Sequence, residues 1–119
     1  MTVTTAGLNG IIQRGFDTGT GSAAWNYVAI GSGDAAAAAG DTALGSEAAR
    51  GQGDYAYTDD TAAFTVAETF AAGTATGSIN ETGLFNASSA GALFARQTFG
   101  TILKGAADTL TITWVGSVS

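Results

Sequence analysis

The sequence of 119 residues contains no cysteine, no histidine and no proline. Without cysteine there is no disulfide framework and no thiolate metal site. Without histidine the chain lacks the commonest general base, the commonest metal ligand and the usual partner of a nucleophilic serine. Without proline its turns must rest on Gly, Asn, Asp and Ser. Positive charge is scarce as well: four Lys or Arg stand against ten Asp or Glu, a net charge of −6. That balance speaks against nucleic acid as a partner, because phosphate binding needs a basic surface, and against an anionic membrane surface for the same reason. Only 12% of the residues are charged, so the exterior must be largely Thr, Ser, Gly and Ala. Such an exterior suits a chain packed against other proteins, or a stable, nearly neutral β-domain.

Long apolar runs are missing too. A membrane-spanning helix needs roughly 20 apolar residues, and the longest apolar stretch, Ala23 to Ile30, is short and carries Asn26. The N-terminus lacks the basic start and apolar region of a signal peptide. The length fits one domain, residues 1–119, able to bury a core without covalent staples.

What is present is a set of short β-prone runs separated by small residues. Met1 to Thr5 reads as extended. Ala6 to Phe16 reads as a helix, with Leu8, Ile11 and Ile12 on one apolar stripe and Thr4 or Thr5 as its cap. Asp17 to Ser22 reads as loop. Trp25 to Gly31 carries apolar groups on both faces, as an interior strand does. The run Ala35 to Ala39 fits a helical turn or a pliable loop. Asp41 to Arg50 fits a short helix or turn, with Glu47 and Arg50 paired three residues apart. Gly51 to Tyr57 reads as a strand with Tyr55 and Tyr57 on one face, followed by a tight turn at 58–61. In Ala62 to Phe70, Phe64, Val66 and Phe70 alternate with threonines. Glu68 falls on the apolar face, either paired or at a strand end. Gly100 to Ala107 reads as a link that buries Ile102 or Leu103. Asp108 to Ser119 alternates Leu110, Ile112, Trp114 and Val118 with threonine and serine. The sum is a mainly β chain: an antiparallel β-sandwich of about six to eight strands, with one or two short helices near the N-terminus.

The most informative stretch is Gly77-Ser-Ile-Asn-Glu-Thr-Gly-Leu-Phe85, answered by Leu93-Phe-Ala-Arg-Gln-Thr-Phe99 across the turn-forming residues 86–91. This is the pattern of a β-hairpin with a longer loop. It places Glu81 and Arg96 on facing arms of a chain poor in charge, where they are expected to pair.

Motifs for chemistry fare less well. Gly31-Ser-Gly33 follows a strand, but the Lys and Ser/Thr of a phosphate loop do not follow it. Asp59 and Asp60, with Asp54 nearby, lack the spacing of a calcium loop and read as a solvated turn. Glu47, Glu68 and Glu81 show no spacing that fixes a carboxylate pair, so ion pairs with Arg14, Arg50 and Arg96 are the better reading. The sequons Asn80-Glu-Thr82 and Asn86-Ala-Ser88 are discounted in a Ser/Thr-rich chain. Trp25, Tyr27, Tyr55, Tyr57 and Trp114 suit sugar stacking in a carbohydrate-binding module, and suit core packing better. No catalytic set, cofactor or metal is expected.

Several stretches taken in order resemble the N-terminal domain of phage tail-collar fibre proteins and related small stand-alone virion proteins. They are Thr5-Ala-Gly-Leu8, Val28-Ala-Ile-Gly-Ser-Gly33, Asp41-Thr-Ala-Leu44 with Glu47 and Arg50, Ile79-Asn-Glu-Thr-Gly-Leu-Phe85, Leu93-Phe-Ala-Arg96, Lys104, and Asp108-Thr-Leu-Thr-Ile-Thr-Trp114. The resemblance covers nearly the whole chain. It implies a non-enzymatic structural protein of a tailed-virus particle, located in the virion after assembly in the host cytoplasm and docked on other virion proteins. Glu47, Arg50, Glu81, Gly83, Leu84, Phe85, Arg96 and Trp114 would then be fold determinants, with no catalytic residue to carry over. Attachment to the tail fibre or baseplate is the first expectation. With no shaft or tip after Ser119, decoration of the major capsid protein is the alternative. A homotrimer or other ring is expected, with Met1 to Thr5 adding a strand to a neighbour's sheet.

Overall fold

A computed structural model describes residues 2–16, 23–58 and 62–117. The loop expected at 17–22, most of the turn at 58–61, and Val118 lie outside them. Among the described residues the elements run β1 (Thr2–Val3), α1 (Thr5–Phe16), β2 (Tyr27–Gly31), β3 (Glu47–Gln52), β4 (Asp54–Thr58), β5 (Ala63–Phe70), β6 (Gly77–Phe85), β7 (Leu93–Lys104) and β8 (Leu110–Ser117). They form two antiparallel sheets, a five-stranded one in the order β1-β7-β6-β2-β3 and a three-stranded one in the order β4-β5-β8. The fold is that of a β-sandwich with one helix near the N-terminus.

The core follows from alternation. Val28, Ile30, Ile79, Leu84 and Ala95 of the larger sheet meet Val66, Phe70 and Trp114 of the smaller one. Trp114 also ties the layers together through its ring nitrogen, which donates to Thr82 Oγ1 at 3.2 Å, while that hydroxyl donates to Ala29 O at 2.8 Å. The burial of the Trp114 indole is thereby matched by a partner for its N–H. On the other face of the larger sheet a second apolar cluster joins Ala29, Phe85 and Leu93 to Leu44, which reaches over from the connection between β2 and β3.

Local readings are corrected in the connection after β2 and at the end of β7. Residues 35–46 form an irregular segment, the loop alternative for 35–39, and the helix or turn of Asp41 to Arg50 gives way to a strand at Glu47–Gln52. Glu47 and Arg50 still share a face because Ala48 is an extra residue: Ile30 pairs with Ala49, but Gly31 pairs with Glu47. A bulge of this kind restores to positions three apart the common side that a regular strand denies them. Next, β7 runs on to Lys104, so Ile102 and Leu103 are exposed and Lys104 is the buried residue of that stretch. The apolar stripe of α1 points away from the core: Leu8, Ile11 and Ile12 are 54%, 48% and 59% exposed. The helix turns its glycine side inward, where Gly7 lies on the Phe94 backbone and Gly10 under the Trp25 ring, with no room for a Cβ at either.

The start of α1 is held as expected. Thr4 is fully buried, its Oγ1 accepts the Gly7 N–H at 3.0 Å, and the same hydroxyl contacts Leu93 O across the fold. Thr2 and Val3 pair with Arg96 and Ala95 of β7, so this N-terminal strand completes its own sheet.

Candidate functional site

The most concentrated polar chemistry lies on the β6–β7 hairpin. Glu81 is fully buried, an unusual place for a carboxylate. It faces the outer side of the larger sheet beneath residues 32–46. Its Oε2 accepts the backbone N–H groups of Gly33 and Ser46, each at 2.8 Å. Its Oε1 accepts Gly45 N–H at 2.8 Å and Arg96 Nε at 3.0 Å. Four donors therefore converge on one carboxylate, enough to offset the desolvation that a buried charge otherwise suffers.

Arg96 carries the network onward. Register places it opposite Gly83, so it meets Glu81 along the diagonal of the hairpin. Its other nitrogens donate to Asp41 Oδ2 at 3.1 Å and Ala35 O at 2.9 Å. Asp41 Oδ2 also accepts Ala38 N–H at 2.9 Å. The segment between β2 and β3 is thus fastened at 33, 35, 41, 45 and 46 by two side chains of the hairpin. Leu44 supplies the apolar fastening between them.

The electrostatics agree with the geometry. Burial pushes the Glu81 carboxyl up. The N–H groups of Ser46 and Gly45, Arg96 and the Gly33 N–H outweigh it and hold the group below its ordinary 4.5. Asp41 is held below its ordinary 3.8, mainly by the Ala38 N–H, with Arg96 assisting against partial desolvation. Desolvation disfavours the Arg96 cation, but Glu81 and Asp41 overcome it and raise its pKa. All three groups are charged at neutral pH, and each is saturated by partners within the fold.

Gly31-Ser-Gly33 therefore does bind an anion through its backbone, and that anion is the protein's own Glu81. A Cβ at Gly33 would stand 2.5 Å from Glu81 Oε2, so glycine is required by close approach.

A second clamp holds the other end of the hairpin. Arg50 grips Glu47 through two bonds of 2.8 and 2.7 Å and donates to Ala87 O at 3.0 Å and Ala90 O at 2.8 Å. Its guanidinium lies 3.6 Å from the centre of the Phe85 ring. The loop 86–92 is closed by Asn86 Oδ1, which accepts Ala92 N–H at 2.8 Å.

Of the eight residues singled out from sequence, seven fall into three groups. Glu81 and Arg96 form the central pair; Glu47, Arg50 and Phe85 form the second clamp; Leu84 and Trp114 lie in the core. Gly83 is packed under Leu44 and Leu93, with no space for a larger residue. Asp41, Gly33, Gly45, Ser46 and Lys104 were not foreseen as partners. Lys104 is buried, and its Nζ donates to Ala71 O at 2.8 Å and Asp108 O at 2.7 Å.

Arg50, Arg96 and Lys104 are thus all committed to internal acceptors; the side chain of Arg14 lies outside the described residues. Among the described residues the surface offers acids, hydroxyls and apolar groups but no unengaged cation. No three acidic residues among them are grouped to hold a metal ion. Comparison with protein-family models, curated proteins and solved structures finds no match.

Proposed function

We propose that the chain is a non-enzymatic structural protein of a tailed-virus particle, docking on the virion as a tail-fibre or baseplate attachment component. The observation that carries this reading is the exposed stripe Leu8, Ile11 and Ile12. These residues stand out on a helix whose inward side is already filled by Trp25 and Phe94. An apolar stripe on a surface poor in charge is a place for another protein to cover. The resemblance to the tail-collar fibre domain supplies the identity of the assembly. Glu81 and Arg96, the residues best suited to chemistry, act here as fasteners of residues 32–46.

Antibody labelling of intact particles encoded with this chain, together with a copy count, tests the proposal. Label at the tail and a handful of copies support it. Hundreds of copies over the shell would transfer the chain to capsid decoration. Particles without the chain would overturn the structural reading.

A second reading is favoured by Tyr55 and Tyr57, which are exposed on one face of β4 while Trp25, Tyr27 and Trp114 are wholly or partly packed away. Paired exposed rings suit stacking on a sugar. A glycan array with no signal at high protein concentration removes this reading.

A further inference from the structure

The smaller sheet ends in an open edge. β8 pairs with β5 on one side and with no other described strand on its second side, so alternate N–H and C=O groups of Leu110–Ser117 point outward. Natural proteins blunt such an edge with lysine, proline, a bulge or a covering loop. This edge has none of the first three. The run 109–117 contains no charged residue and no proline, and its pairing with β5 is regular over all eight positions. Val115 is 67% exposed on its outer face. Beside the edge a groove of about 360 Å³ opens between the sheets, lined by Thr82, Gln97 and Phe99 below and by residues 111–115 above.

Charge restricts what can occupy this edge. The chain carries −6, and Arg50, Arg96 and Lys104 are engaged internally. Two copies repel wherever acids approach, but β8 brings none. The strand is also self-complementary when it runs antiparallel to itself about Thr113. Thr113 then meets Thr113, Thr111 meets Val115, and Ile112 meets Trp114 above the groove. Leu110 comes opposite Gly116, across which the Phe64 ring already lies. Aromatic against β-branched is a favourable cross-strand pair, and no like charges face each other.

We infer that β8 is a self-pairing edge, through which two copies join antiparallel about Thr113 into one sheet of order β4-β5-β8-β8-β5-β4. The contact is isologous and closes on itself, giving a two-fold dimer. It is independent of which particle surface the helix stripe covers.

The absence of cysteine makes the register testable. Directly opposed residues of antiparallel strands have Cα atoms about 4.5–5.5 Å apart, within disulfide reach. Thr113→Cys treated with oxidised glutathione is expected to give a covalent dimer. Thr111→Cys, displaced from its own copy by four residues, is expected to stay monomeric. Sedimentation velocity from micromolar to millimolar protein is expected to show a monomer–dimer equilibrium. Thr113→Lys, which sets two cations face to face at an exposed position, should weaken it roughly tenfold or more. A wild-type chain that stays monomeric throughout overturns the inference. So does equal cross-linking of the two cysteine variants, or none by Thr113→Cys.

Discussion

Gly33 and Glu81, 48 residues apart, are joined by a 2.8 Å hydrogen bond from a backbone N–H to a fully buried carboxylate. The close approach that comes with the bond, not the bond itself, is what calls for glycine at position 33, two residues beyond the end of β2. The bond turns a loop with the outline of a phosphate cradle into an internal fastening. Gly33→Ala would set a methyl 2.5 Å from Glu81 Oε2 and 2.9 Å from the Gly45 Cα. The expected loss is about 1–3 kcal/mol, as for other overpacked sites, measured by urea unfolding. A variant as stable as wild type would show that the close approach is not required.

Replacing Glu81 is expected to be harsher. Glu81→Ala leaves Arg96 buried beside Asp41 alone and strips three N–H groups of their acceptor. Breaking one partner of a buried pair costs about 3–5 kcal/mol. Thermal and urea melts of Glu81→Ala should show that loss, and retention of wild-type stability would contradict the anchoring role.

The same network sets the response to acid. Glu81 and Asp41 both titrate lower in the folded chain than in the unfolded one. The stability they contribute is therefore fully present above the ordinary values of 4.5 and 3.8 and is lost as pH falls through the lower folded values. Unfolding free energy should be level near neutrality and decline below about pH 4.5. In Glu81→Gln, if folded, that decline should be shallower. An equal acid response in both chains would assign it to other carboxylates.

How far this arrangement is legible in the sequence depends on distance along the chain. The Glu81–Arg96 pair could be read because two scarce charges stand on facing arms of a recognisable hairpin. Asp41, Gly33, Gly45 and Ser46 could not, since they come from an irregular segment whose path is set by the carboxylate it wraps. The spacing of Glu47 and Arg50 suggested a helix because a bulge at Ala48 imitates helical spacing on a strand. The stripe Leu8, Ile11 and Ile12 is legible as a stripe, but periodicity reports amphipathicity, not which face docks. Here Gly7 and Gly10 let the opposite side approach the sheet more closely.

At the start of that helix, Thr4 caps Gly7 and contacts the β7 backbone. Thr4→Ala is expected to cost about 0.5–2 kcal/mol and to lower the helical signal in circular dichroism before global unfolding. Simultaneous melting of helix and sheets at the wild-type midpoint would argue against this role.

The exposed stripe should behave in the opposite way. Replacing Leu8, Ile11 and Ile12 together with Gln should change stability by less than about 1 kcal/mol, since exposed sites contribute little, yet abolish incorporation into particles. Loss of folding would instead place the stripe in the core. Normal incorporation would remove it as the docking surface.

The Glu81 carboxylate holds residues 32–46 to the sheet through the amides of Gly33, Gly45 and Ser46. Native-state hydrogen exchange of those three amides tests this role most directly. All three are expected to be protected to the level of the β6 core amides in the wild-type chain. In Glu81→Gln they should lose that protection selectively while Val28, Ile30 and Leu84 keep theirs. Free exchange of these amides in the wild-type chain, or protection unchanged by Glu81→Gln, would contradict the claim.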